Sequence, residues 1–242
     1  MFNIESLEGV YDVTSKTVYE TGEVHEIKYC QKFAIEKCNE GYVVLHNGTD
    51  EETIDGKPLE GLNLFGNMVT KVTGPKRLLF SNEGELVDIL NHEDIVKSFQ
   101  KEVPQLIEAF GSTDLVVQSA QLRSIRIGNK LMSMYFLKSL TFFRFLFWNE
   151  ENAKESLKVQ HLHRADDSIR FYFDKKEDLL GYIHYETTKC DQVMGWSDLI
   201  GGKATLDFLY ASDGLPCEVE FRVKIEVRNR GFIQYSEIMV RR

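Results

Sequence analysis

The segment CEVEFRVKIEVR, residues 217–228, alternates without a break. Cys217, Val219, Phe221, Val223, Ile225 and Val227 fall on one side, and Glu218, Glu220, Arg222, Lys224, Glu226 and Arg228 on the other. Side chains two apart on a strand share a face, so this segment predicts a strand with one dry and one wet surface. An antiparallel sheet allows that asymmetry, and the mixed charges of the wet face suit cross-strand pairs. Asn-Arg-Gly at 229–231 supplies a hairpin loop with glycine at the bulge position, and residues 232–240 read as the returning strand.

Working upstream, residues 156–164, 168–173, 181–187 and 203–211 carry further strand patterns. Residues 174–178 and 212–214 read as turns, and 196–202, ending in Gly201 and Gly202, as a loop or short helix suited to a rim or lid. The N-terminal half reads as a meander of hairpins: strands over 10–18, 24–35, 42–45, 68–72, 78–80 and 85–90. Asn47-Gly48 is expected to make a tight turn, and Asp50, Glu51, Glu52 and Asp55 a solvated acidic turn. Gly9-Val-Tyr11 resembles the Gly-x-Trp opening of lipocalin-type barrels, with Tyr where that family has Trp. Nothing else in the chain continues that pattern, and the plainer reading is a first strand with an aromatic residue in the core.

Between the two strand-rich halves the period changes. Ile95, Val96, Phe99, Val103, Leu106, Ile107 and Phe110 recur at helical spacing and make one apolar stripe. Asn91 is placed to cap this helix, Asp94 favours its positive end, Pro104 should kink or split it, and Gly111 should stop it. Residues 114–122 fit helix or strand. Residues 130–139 read as a helix or helix start, and the Phe-rich run to Trp148 leans to strand.

These patterns predict one α+β domain over 1–242, with strands at 8–90, a helical and apolar centre at 91–152 and strands at 156–242. The sheet is expected to be predominantly antiparallel and strongly curved, or a partly open β-barrel, with central helices.

Composition narrows function more than motifs do. A formal net charge of -9 disfavours nucleic acid and anionic membrane surfaces. The first residues lack a basic region followed by an apolar run, and the four cysteines form no Cys-x-x-Cys pair. The expectation is a cytoplasmic monomer or homodimer with reduced thiols and no integral membrane association. No phosphate loop, dinucleotide fingerprint or nucleophile elbow occurs, so no cofactor is expected.

The 16 Phe and 10 Tyr can fill a core or line a cavity. The leading expectation is binding of an apolar or carboxylate-bearing amphipathic small molecule in an internal cavity beside the central segment. Arg144 would anchor the carboxylate, with Phe145, Trp148 and Tyr172 also contacting the ligand. An alternative is a cofactor-independent lyase, isomerase or cyclase with His184 and Glu186 as acid and base. A third is an interaction or structural domain without a small-molecule site. His161 and His163 share a strand face and would meet His184 and Glu186 only if their strands paired, so no metal site is assigned. Cys190 and His184 are six residues apart across an expected turn, a weak basis for a nucleophile and its base.

Overall fold

The computed structural model describes residues 8–82, 85–139, 157–160, 168–179, 181–194, 199–211, 216–228 and 231–242. The chain runs β1 (Gly9–Tyr19), β2 (Val24–Cys38), β3 (Gly41–Ile54), β4 (Lys57–Pro58), α1 (Gly61–Val72), β5 (Lys76–Phe80), β6 (Leu86–Ile89) and α2 (His92–Ala109). It continues with α3 (Asp114–Gly128), α4 (Lys130–Ser139), β7 (Leu157–Gln160), β8 (Ser168–Leu179), β9 (Tyr182–Met194), β10 (Leu199–Tyr210), β11 (Pro216–Val227) and β12 (Gly231–Arg241). The fold is mixed α+β with an antiparallel sheet.

Hydrogen-bonded strand neighbours follow the order β6-β5-β3-β2-β1-β12-β11-β10-β9-β8-β7, with β4 beside β3. That order corrects the expected strongly curved sheet or partly open barrel. Among the described residues the series has two ends, β6 and β7, which are not neighbours. Closure requires the edge strands to pair, and alternation along a strand carries no information about edges. End strand β6 is four residues long, a length that limits edge-to-edge association.

The described contacts divide the chain into two compact units. The first is Met1–Val10, Cys30–Thr53 and Lys57–Phe143, and the second is Tyr11–Tyr29, Ile54–Gly56 and Arg144–Arg242.

In the first unit the helices share a core of Phe65, Val69, Phe99, Val103, Val116 and Ala120. The α2 stripe forms as expected, with Glu93 and Asp94 in its first turn. Pro104 does not split it: α2 is one helix through Ala109, and Gly111 then turns the chain at φ +87°. Asn91 occupies the N-cap position without a capping side-chain bond. Its amide instead ties down β5, accepting from Arg77 N at 2.9 Å and donating to Pro75 O at 2.8 Å. Residues 114–122 resolve to helix, capped by Thr113, whose hydroxyl accepts from Val116 N. Residues 68–72, read as a strand, are the end of α1. Asn47 to Asp55 is mostly strand β3 rather than two turns, bent by positive φ at Gly48 and Glu51.

In the second unit the dry face of β11 is as read: Val219, Phe221, Val223, Ile225 and Val227 are buried. Tyr11 is 1% exposed, a core aromatic on a first strand. Three expected turns or loops are strand instead. Residues 174–178 extend β8, Cys190 and Asp191 lie inside β9, and Gly201 and Gly202 lie inside β10. Pairing across β8–β9 holds residues 174–178, Cys190 and Asp191, and pairing with β11 holds Gly201 and Gly202, a tertiary effect that local turn chemistry does not record.

Candidate functional site

Strands β9, β10 and β11 put three rows of side chains on one face of the second unit. Their register sets Tyr182 beside Leu209 and Glu218, His184 beside Asp207 and Glu220, and Glu186 beside Thr205 and Arg222. All of these but Glu186 line an open cleft of about 400 Å³. This is the wet face anticipated from the β11 alternation, now with β9 and β10 joined to it.

His184 sits at the centre of the constellation. Its Nδ1 donates to Asp207 Oδ1 at 2.6 Å, and its Nε2 lies 3.4 Å from Glu186 Oε1. The Tyr182 hydroxyl donates to the same Asp207 oxygen at 2.5 Å, and its ring lies almost parallel to the imidazole with centroids 6.4 Å apart. A carboxylate at Nδ1 fixes the ring orientation and leaves Nε2 as the atom that exchanges a proton. Partial burial is the largest influence on the imidazole and lowers its pKa. Hydrogen bonds and charge from Asp207 and Glu186 together outweigh it, so the net shift is upward. The His184 side chain is 16% exposed and that of Glu186 54%, so the pair spans the step from cleft floor to solvent. Arg222 is held by a two-pronged bond to Glu220, both distances 2.6 Å, so its charge is already answered.

The sequence reading brings His184 and Glu186 together correctly, because residues two apart on a strand share a face. It misses Asp207, which is 23 residues from His184. Alternation along β10 puts Asp207 on the wet face with Thr205 and Leu209, but only the β9–β10 register names its neighbour. Tyr172 does not line this cleft. It lies opposite Lys189, whose ammonium is 5.2 Å from its ring centroid. Arg144, Phe145, Trp148, His161 and His163 lie outside the described residues. Strand β7 pairs with β8, not with β9, so the strand leading to His161 is not the neighbour of the His184 strand. Cys190 lies opposite Phe171, and burial raises its thiol pKa, the wrong direction for a nucleophile. Among the described residues no three His, Cys, Asp or Glu side chains are grouped so as to hold a metal ion.

A second polar cluster is buried on the dry face. Glu237 is 3% exposed, opposite Phe221 on β11 and Ser15 on β1. The Tyr235 hydroxyl donates to Glu237 Oε2. Burial pushes the Tyr235 phenol well above its usual range, and the Glu237 charge pushes it the same way. The sequence signal was available: Ile233, Tyr235, Glu237 and Met239 share one parity, so a carboxylate sits in a row of core residues.

No protein-family model matches the chain, and none of the curated proteins matches it. Among solved structures it is similar to the Rv2717c protein of M. tuberculosis, at 8% identity over 99% of this chain and 94% of that one. The TM-score of that superposition is 0.36, too low to carry an argument about fold or function. Among the described residues, no helix is long and apolar enough to cross a membrane.

Proposed function

We propose that the β9–β11 cleft binds a small amphipathic molecule and that His184 exchanges a proton with it, in the manner of a cofactor-independent isomerase or lyase. The observation that carries this reading is the imidazole held between Asp207 and Glu186 at the floor of a cleft of about 400 Å³. Leu209 and the Tyr182 ring offer apolar wall, and Thr205, Glu218 and the Arg222–Glu220 pair offer polar wall.

Asp207 stabilises the imidazolium and keeps Nδ1 protonated, so the exchangeable proton is the one on Nε2. Glu186, only 3.4 Å from that nitrogen, receives the proton or yields its place to a ligand acceptor. A positioned acid–base group of this kind contributes roughly 10²–10⁴-fold to rate.

The test uses a panel of small ketones and keto acids in D₂O. Deuterium uptake at enolisable carbons is followed by NMR, alongside the His184 ring signals. The expectation is that compounds moving the His184 signals also exchange, and that His184→Gln removes the exchange. Binding that leaves the His184 signals unmoved would refute the site. Binding at His184 without exchange in any compound would leave a binding protein and remove the enzyme.

A further inference from the structure

We propose that the outer face of α3 and α4 docks on an anionic lipid bilayer, lying in the headgroup layer without crossing it. Helix α3 turns Val116 and Ala120 into the helical core. Its opposite side carries Leu115, Leu122 and Ile125, all exposed. At 3.6 residues per turn those three fall within about 80° of one another. On α4, Leu137 is buried, while Leu131, Met132 and Tyr135 are exposed, Leu131 by 76%. Each helix is therefore apolar on two sides and uses one of them for the core of the first unit. The outer sides are joined to each other. The Ser133 hydroxyl donates to Arg126 O at 3.0 Å, and the Arg126 guanidinium lies 3.9 Å from the Phe136 ring centroid.

Charge selects the occupant. The net charge of -9 argues against an anionic surface for the chain as a whole, but that charge is unevenly spread. Residues 115–139 hold Arg123, Arg126, Lys130 and Lys138 and no Asp or Glu, in a chain where about one residue in six is acidic. Lys130 is tied to Asp88 on β6 at 2.5 Å, and Arg123 reaches across Gly66 on α1. Arg126 and Lys138 stand with the apolar side chains. Arg126 follows Leu122 by four residues and Lys138 follows Tyr135 by three, so each outer face carries its own cation. Their stems can lie along the apolar surface with the charged heads at lipid phosphates. A second copy docked face to face would set these cations against themselves. The apolar side chains also project, Leu122 being 70% exposed and Tyr135 66%. Projecting Leu and Tyr suit the boundary between headgroups and acyl chains.

The test is co-sedimentation of the full chain with two kinds of vesicle, phosphatidylcholine alone and equal parts phosphatidylcholine and phosphatidylserine. Binding should be at least about 10-fold stronger to the mixed vesicles, the scale of two cations at a charged surface. It should weaken as salt is raised. The double variant Leu122→Ser, Leu131→Ser should bind at least about 10-fold more weakly, with its urea midpoint little changed because both side chains are exposed. Tyr135→Trp supplies a depth reporter: its emission should move to shorter wavelength on binding and be quenched by lipids brominated on their acyl chains. Absence of binding to either vesicle would overturn the proposal, as would equal binding to both. So would binding that survives the leucine substitutions, or a Tyr135→Trp signal that brominated chains leave untouched. A dimer that the leucine substitutions dissolve, without vesicle binding, would give the face to a second copy and overturn the bilayer.

Discussion

At the scale of the residue, His184 titrates under opposing influences, and its neighbours decide the outcome. Burial alone would lower it, while Asp207 and Glu186 raise it. Asp207→Asn removes the closer carboxylate, so the imidazole pKa should fall, read from the ring proton shift against pH. A pKa that stays where it was would show that the 2.6 Å contact carries no charge coupling. Because the folded pKa is raised, the His184 contribution to stability is fully present below the unfolded value of about 6.5 and fades as pH rises through the folded value. Wild type should therefore lose stability relative to His184→Gln as pH rises through that window, measured by urea midpoints. Gly41 is governed by sterics instead. It has φ +140°, and a Cβ there would lie 2.1 Å from the Phe80 carbonyl oxygen. That oxygen belongs to backbone held by the Tyr42–Phe80 register. Gly41→Ala should cost on the order of 2 kcal/mol or more in chemical denaturation. His184 and Glu186 were legible as a pair from sequence because their relation is local, and Tyr182, two residues before His184, falls on the same face by the same alternation; Asp207 was not joined to them, because that relation depends on register.

At the scale of the element, strong periodicity was legible and composite signals were not. The α2 stripe and the β11 alternation each repeat one period over many residues, and both elements form as read. Helix α1 carries Leu62, Phe65, Val69 and Val72 at helical spacing, but Gly61 and Gly66 punctuate it, and only residues 68–72 read as an element, a strand. Gly66 is explained by what crosses it, the Arg123 guanidinium, not by a turn. Strand β3 was cut short because Asn47-Gly48 has turn chemistry, which the strand absorbs as a bend. Phe65 is fully buried at the centre of the helical core, so Phe65→Ala should cost about 3–5 kcal/mol. Leu122 on α3 is 70% exposed, and Leu122→Ser should change stability by no more than about 0.5 kcal/mol. Equal losses in the two variants would mean that α3 buries a different face from the one described.

At the scale of the whole molecule, the antiparallel α+β class was legible, and closure of the sheet was not. Alternation says which face is dry; whether an edge finds a partner depends on strands far apart in sequence. The same limit hid the β1–β12 pairing, which joins Tyr11 to Arg241 and places β12 between β1 and β11. Deleting residues 231–242 should therefore open the second unit at an internal position, with loss of near-ultraviolet dichroism and of dispersed amide signals. A truncated chain that kept both would show that β1 and β11 can do without the strand between them. The pairing also imposes a timetable. Asp12 and Arg242, bonded at 2.7 Å, are separated by 230 residues, so at about 5–20 residues per second β1 leaves the ribosome roughly ten to fifty seconds before its partner. For that interval one edge of β1 has nothing to pair with. Translation stalled before residue 231 should leave residues 9–19 open to protease, and emergence of residues 231–242 should close them. Strand β12 thus acts as a checkpoint on β1.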